Sequence, residues 1–227
     1  MPKAVRSNPP TEEIEFDRQQ LSPYWHNPLW LGCKRTLDIV GSGLLLLLLS
    51  PLFLVLSAAV KLTSPGPVFY RWRVVGKEGS PFTGFKFRSM CANADQLKAQ
   101  LECLNEMRGP VFKIADDPRI TKIGAWMRRY SFDELPQLYS VLKGDMSLVG
   151  PRPPLVTEYA RFSEHQKQKL LVKPGMTCLW QISGRNKVSD FDDWVKLDLE
   201  YICRWTPKLD FWILLKTLTE VVSGSGK

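Results

Sequence analysis

The sequence predicts an α+β fold, mostly helical with a short β-hairpin, joined to an apolar helical anchor near its N-terminus. Three observations carry that prediction. Leu44 to Val60 is almost entirely apolar, whereas the rest of the 227-residue chain is mixed in charge, with an ordinary 44% of hydrophobic residues overall. Two β-prone runs follow the block, Ser64 to Gly76 and Pro81 to Met90, with turn residues before and between them. Beyond these the pattern is helical, in segments punctuated by Gly and Pro.

Residues 1–33 form a polar, Pro-punctuated lead-in. A cleavable signal peptide is not expected, because polar residues precede the apolar block. The anchor occupies 34–62. As one straight helix, Thr36 to Leu62 would extend about 40 Å, enough for a hydrocarbon core of ~30 Å. Ser50-Pro51 interrupts it, since proline removes a helical hydrogen bond and clashes with the preceding turn. Each leg alone, at about 16–22 Å, is too short to cross. Positive charge flanks both sides, with Lys34 and Arg35 before and Lys61, Arg71, Arg73 and Lys77 after. That symmetry gives no orientation for a crossing and suits a re-entrant hairpin; a proline-kinked span is the alternative. In either form the Ser50 hydroxyl can bond a carbonyl near the break, and Asp38 is expected at the membrane interface.

Residues 63–222 form the expected cytoplasmic domain, and 223–227 a tail. After the hairpin, Asn93 to Met107 reads as helix. A further helix is expected to start within Asp116–Arg119 and run through TKIGAWMRR. Leu135 to Leu142 is helical, with Gly144 as its cap. Glu158 to Leu171 reads as helix, Lys173 to Thr177 as a turn, and LWQISGRN as the lead into a loop. Asp190 to Arg204 and Leu209 to Val222 finish as helices. The last carries Phe211, Trp212, Leu215 and Leu218 along one side, a stripe for core or membrane interface.

The formal net charge of +8 suits nucleic acid, an anionic membrane or a phosphorylated substrate. No nucleic-acid-binding pattern is present, and the apolar block moves membrane and phosphate ahead. Five scattered cysteines without C-x-x-C spacing point to reduced thiols. His26 and His165 have no ligand-spaced neighbours, which argues against a histidine metal site or a Ser-His-Asp triad.

The chemistry concentrates in RRYSFDELPQL, Arg128 to Leu138. Asp133 and Glu134 are adjacent carboxylates at a helix start. Ser131 and Glu134 fit the S-x-x-E capping pattern, but Pro136 fits better if Asp133 itself caps, because first-turn N–H groups have no helical partner. Plain capping by Asp133 competes with catalysis on this motif alone. Its surroundings add KFRSM before it, and KGDMSLVGPRP and KPGMTCLWQISGRN after it. Arg88, Arg129, Arg152 and Arg185 stand at strand ends or in Gly/Pro-rich settings, and several guanidinium groups on one site suit a diphosphate.

These runs, with KRTLD, the Ser-Pro pair and DDPRITKIGAWMRR, resemble the bacterial polyprenyl-phosphate hexose-1-phosphate transferases, the monotopic phosphoglycosyl transferases. The resemblance covers about Lys34 to Leu218 and is to their compact, catalytic-core form. It implies a monotopic protein whose anchor is re-entrant and broken at Ser50 and Pro51. It implies that Asp133 attacks the β-phosphorus of a UDP-sugar, releases UMP and carries the phosphosugar until polyprenyl (undecaprenyl) phosphate displaces it. Mg²⁺, held by Asp133 and the diphosphate, and help from Glu134 are implied too. Lys86, Arg88, Arg129, Arg152 and Arg185 are the implied substrate-binding cations, and Asp198 in LDLEYI either orients one of them or meets substrate. The implied place is the bacterial inner membrane, with the site on its cytoplasmic face, at the start of exopolysaccharide or other glycoconjugate assembly. Cys178, Tyr130 and Phe132 depart from the family's usual residues without removing any of these groups. Expected partners are the UDP-sugar, the polyprenyl phosphate, membrane lipids and no nucleic acid, with a homodimer compatible. Two rivals stand beside this reading: a non-catalytic membrane-surface adaptor, which has no need of the Asp133-Glu134 pair, and a glycosyltransferase that releases UDP.

Overall fold

The computed structural model describes residues 20–184, 189–224 and 226. It is α+β and mostly helical, with two small two-stranded sheets. The apolar block folds as two legs, α1 (Pro28–Leu48) and α2 (Ser50–Thr63), bent by 61° at the break. Pro51 stands in the first turn of α2, where its missing N–H costs no helical bond. The Ser50 hydroxyl donates to the Leu47 carbonyl at 2.8 Å, as its position predicts. No single described helix is long and apolar enough to cross a membrane, although the bent pair passes that test by length and composition. The first leg is longer than the sequence suggests. Its 21 residues extend about 31 Å, because Asn27 caps a helix that begins well before the apolar run.

That early start has a purpose in packing. Lys34 donates to the Val149 carbonyl and to Asp210, and Arg35 donates to the Val141 and Leu142 carbonyls. Asp38 is buried rather than interfacial: its Oδ1 accepts from the Leu148 N–H at 2.8 Å and the Ser147 hydroxyl at 3.0 Å. A carboxylate in a mostly apolar helix is costly unless its oxygens are occupied, and here the folded domain occupies one of them. Upstream, residues 20–27 pack on the C-terminal half, with Trp25 stacked on Trp205 at 4.0 Å and bonded to the Ile202 carbonyl.

Strands β1 (Phe69–Val75) and β2 (Pro81–Phe87) form the expected antiparallel hairpin, Phe69 opposite Phe87 and Val75 opposite Pro81. The stretch Asn93 to Met107 holds only the short α3 (Ala94–Leu97) and a 3₁₀ turn over Ala99–Leu104. The next helix starts later than predicted. α4 (Lys122–Arg129) is capped by the Thr121 hydroxyl, and the DDPR segment before it is a turn closed by Arg119 on Asp117. α5 (Gln137–Lys143) ends on Gly144 at φ 102°, the left-handed cap predicted for it. β3 (Ser147–Val149) runs parallel to β4 (Gly175–Thr177). Between them, the predicted 158–171 helix is broken into α6 (Val156–Tyr159), α7 (Glu164–Lys167) and a 3₁₀ turn, each too short to bury a full helical face.

α8 (Leu179–Ile182), α9 (Phe191–Arg204) and α10 (Pro207–Ser223) close the chain. The main core gathers α9 with Val149, Phe162, Trp180 and Ile213. A second, smaller core joins the anchor to the domain: Leu56 and Val60 of α2 pack with Phe87, Met127, Phe132 and Leu135. The α10 stripe of Phe211, Trp212, Leu215 and Leu218 is exposed, as are Leu44, Leu47, Leu54 and Val55 on the legs. The alternative that this stripe is core does not hold.

Candidate active site

Helix α4 ends at Arg129, and Ser131 then adopts a left-handed conformation (φ 56°) that turns the chain sharply. The next three residues, Phe132–Glu134, form a 3₁₀ turn, and Pro136 occupies the cap position of α5. Asp133 is therefore not the N-cap that its spacing to Pro136 suggests. It sits in the middle of the tight turn, three residues before that cap, with the Ser131 side chain making no capping bond. Phe132 points into the small core against α2, and Asp133, only 7% exposed, lines a cleft of about 580 Å³. The alternation of the turn thus puts an apolar anchor contact and a carboxylate on successive residues.

Cations share the cleft with this carboxylate. Lys86, Arg88, Arg128 and Arg152 line the same cleft together with Asp133 and Glu134. Lys86 projects from β2, pairs with Glu134 at 2.8 Å and lies 4.3 Å from the centre of the Trp72 ring. That pairing holds Glu134 in one place beside Asp133. Arg152, in the segment after β3, lies over Trp180 and Trp194, whose rings stack at 4.2 Å. Its charge is supported from below. Asp198 on α9 is fully buried, pairs with Lys169 at 2.5 Å and lies close enough to Arg152 for their charges to attract. Burial pushes the Asp198 carboxyl up, against the opposing pull of Lys169 and Arg152. The ion-pair partner of Asp198 is thus Lys169, a residue outside the expected set of substrate-binding cations.

The arginine pair before the turn is divided differently from the expectation. Arg129 faces away from the cleft, over Tyr130 and beside the C-terminal Gly224. Arg128 lines it, with Nε donating to the Ser89 hydroxyl at 2.9 Å. Arg128 stands four residues after Gly124 on α4. Gly124 must lie against Ser89, because a Cβ there would come 1.9 Å from the Ser89 carbonyl oxygen. Arg185 lies outside the described residues. Lys169 and the Asp117–Arg119 pair also went unread, since a counter-ion distant in sequence or inside a turn leaves no periodic trace. At Asp117 burial works to raise the carboxyl, but hydrogen bonds from Arg119 and the charges of Arg119 and Arg128 hold it below its ordinary value.

A cleft lined by a buried carboxylate together with several lysines and arginines is an arrangement for phosphate. A family model described as bacterial sugar transferase matches residues 30–224. The chain belongs to the bacterial sugar transferase family. A galactosyl transferase, CpsE, from Streptococcus agalactiae is 50% identical over 86% of this chain and 43% of its own length. The undecaprenyl-phosphate galactose phosphotransferase of Salmonella typhimurium is 44% identical over 85% of the chain and 41% of its own. The exopolysaccharide production protein ExoY of Rhizobium meliloti is 39% identical over 88% of the chain and 89% of its own. The chain thus spans less than half the length of the first two relatives and most of the third.

Proposed function

We propose that this bacterial sugar transferase moves a hexose 1-phosphate from a UDP-sugar to polyprenyl phosphate and releases UMP. The observation that carries the proposal is the placement of Asp133: buried, cation-walled, and on a turn whose neighbouring residue packs on the anchor. Relatives named for undecaprenyl-phosphate transfer of galactose, N-acetylgalactosamine and glucose phosphates support the reaction class. An acceptor with a long prenyl tail stays in the bilayer, and a site seated on the bent helix pair meets its phosphate at the headgroups. The exposed apolar legs and the α10 stripe support a re-entrant anchor, with the domain on the cytoplasmic face of the inner membrane.

In this reading an Asp133 oxygen attacks the phosphorus that bears the sugar. The bond from that phosphorus to the bridging oxygen breaks, and UMP leaves with the electron pair. The acceptor's phosphate oxygen then attacks the same phosphorus and returns Asp133 as a free carboxylate. Splitting the transfer into two displacements lowers each barrier. Lys86, Arg128 and Arg152 hold and neutralise the diphosphate, Lys86 also positioning Glu134 beside the nucleophile. Among the described residues no three His, Cys, Asp or Glu groups cluster as a metal cage. The adjacent carboxylates Asp133 and Glu134 in the cleft fit Mg²⁺, which takes few carboxylates and draws its other ligands from phosphate and water. Bound to Asp133 and the diphosphate, Mg²⁺ would supply charge neutralisation of the phosphate oxygens.

The test is a panel of UDP-sugars given to the protein in nanodiscs with Mg²⁺, with and without undecaprenyl phosphate, alongside Asp133→Asn. UMP release with one sugar, and a hexose-phosphate mass adduct absent from the variant, are expected. Release of UDP would replace the proposal with a glycosyltransferase. No release with any donor would leave the adaptor.

A further inference from the structure

Strand β1 gives the cleft a direction. Residues two apart on a strand share a face, so Tyr70, Trp72 and Val74 follow one another in steps of about 7 Å. Tyr70 marks one end, where its hydroxyl donates to Asp95 at 3.2 Å. Trp72 marks the middle. Lys86 Nζ lies over its ring and pairs with Glu134, which brings the Asp133-Glu134 pair to this point. Val74 marks the other end: it is bridged to Leu155, whose N–H donates at 2.9 Å to Oε2 of Glu158. Tyr70, Asp95, Leu155 and Glu158 all line the cleft, so it has an arm on each side of the nucleophile.

Glu158 is only 8% exposed, and its Oε1 has no hydrogen-bond or ion-pair partner among the described residues. A carboxylate so nearly buried, with one oxygen unused, is costly until a donor meets it. Phosphate brings like charge and cannot be that donor, whereas a neutral group carrying hydroxyls can. In a UDP-sugar those groups are the hexose and the ribose. The two arms differ in a way that separates them. Tyr70 and Asp95 are exposed, so their arm is open, whereas buried Trp180 and Trp194 close the Glu158 arm. UMP must leave after the first displacement, and the hexose must stay with Asp133 until the second. The departing half belongs at the open end and the retained half at the closed one.

We infer that the donor lies with its hexose in the Glu158 arm and its nucleoside in the Tyr70 arm, and that Glu158 Oε1 accepts from a hexose hydroxyl. Glu158 is then a residue that selects the sugar. The inference rests on the two-step reading above.

The experiment gives UDP-glucose, UDP-galactose and their analogues lacking one ring hydroxyl to the wild type and to Glu158→Gln, in nanodiscs with Mg²⁺ and undecaprenyl phosphate. Glutamine keeps an oxygen for the Leu155 N–H and offers the cleft a donor in place of an acceptor. With the wild type, one analogue is expected to lose about tenfold or more in kcat/KM against its parent, as the loss of a hydrogen bond to a charged group requires. With the variant, that analogue and its parent should agree within about twofold, and the inhibition constant of UMP should be that of the wild type. A wild type that turns over every analogue as it does the parent would overturn the inference whatever the variant does. A variant that keeps the wild type's discrimination would leave Glu158 as a cap of α6 and overturn it too. A raised UMP inhibition constant with hexose discrimination intact would put the ribose at Glu158 and reverse the donor. Should the wild type release no UMP from any donor, the two-step reading itself fails, which tells that failure apart from this one.

Discussion

Replacing Asp38 tests how the anchor is held. One oxygen, Oδ1, accepts both bonds, from the Leu148 N–H at 2.8 Å and the Ser147 hydroxyl at 3.0 Å. Asp38→Ala leaves both donors buried and unpaired. Bonds to a charged group are worth about 1.5–3 kcal/mol each, and since the hydroxyl can rotate, the two together come to roughly 3–5 kcal/mol. For a chain of this size that lowers the melting temperature by about 10 °C. Asp38→Asn keeps an oxygen where both donors point and forfeits only the charge, about 1 kcal/mol or roughly 3 °C. The assay is the loss of monodisperse protein on heating at one scan rate in one detergent, because unfolding of such proteins is a rate as much as an equilibrium. Equal losses in Ala and Asn would show that charge, and not the shared oxygen, carries the interaction. Losses within 2 °C of wild type in both would refute the clamp altogether.

Four further outcomes follow from the same geometry. Arg128→Ala should lower kcat/KM for the UDP-sugar by about 10–100-fold, whereas Arg129→Ala, outside the cleft, should stay within about twofold; steady-state kinetics of UMP release decide it. Lys86→Met removes the ion pair that Lys86 makes with Glu134 and should cost about tenfold or more in kcat at unchanged melting temperature. Asp198→Ala strands the buried Lys169, a loss of about 3–5 kcal/mol visible as a melting temperature lower by roughly 10 °C. The fourth concerns acid. The Asp117 carboxyl is held below its ordinary value in the folded chain. Its stabilising contribution is therefore complete above an unfolded value of ~3.9 and is lost as pH falls through the lower folded value. Melting temperatures measured from about pH 5 down to about pH 2 should fall more gently in Asp117→Asn, which has no such proton to take up.

Local chemistry made much of this molecule readable beforehand. The hairpin was legible in its alternating β-prone runs, the break in Ser50-Pro51, and the end of α5 in Gly144, since each depends on a few neighbouring residues. The late start of α4 was misread because Asp117 meets Arg119 in a turn instead of capping a helix, and Thr121 caps it instead. Glu158 to Leu171 has helical composition, but helix propensity is weak against the packing of Phe162 and Leu170 into the core, which breaks the segment. In the site, the carboxylates and cations were visible as types. Their partition was not: which of two adjacent arginines faces the cleft, and which buried lysine stands behind Asp198, depends on contacts between residues far apart in sequence.

The two legs of the anchor are gripped by different parts of the domain. α1 is fixed through Lys34, Arg35 and Asp38 to β3, α5 and α10, whereas α2 is fixed through Leu56, Val60 and Arg88 to α4 and the hairpin. The 61° bend is thus held by contacts with the folded domain. Seated in a bilayer as proposed above, such a wedge would keep a constant shape: bilayers of different thickness would have to thin, swell or reorganise around it, while the distance from its tip to Asp133 stayed the same. In that proposed seating the anchor would act as a depth gauge, and adding or deleting a helical turn in α2 would shift Asp133 by about 5 Å relative to the headgroups.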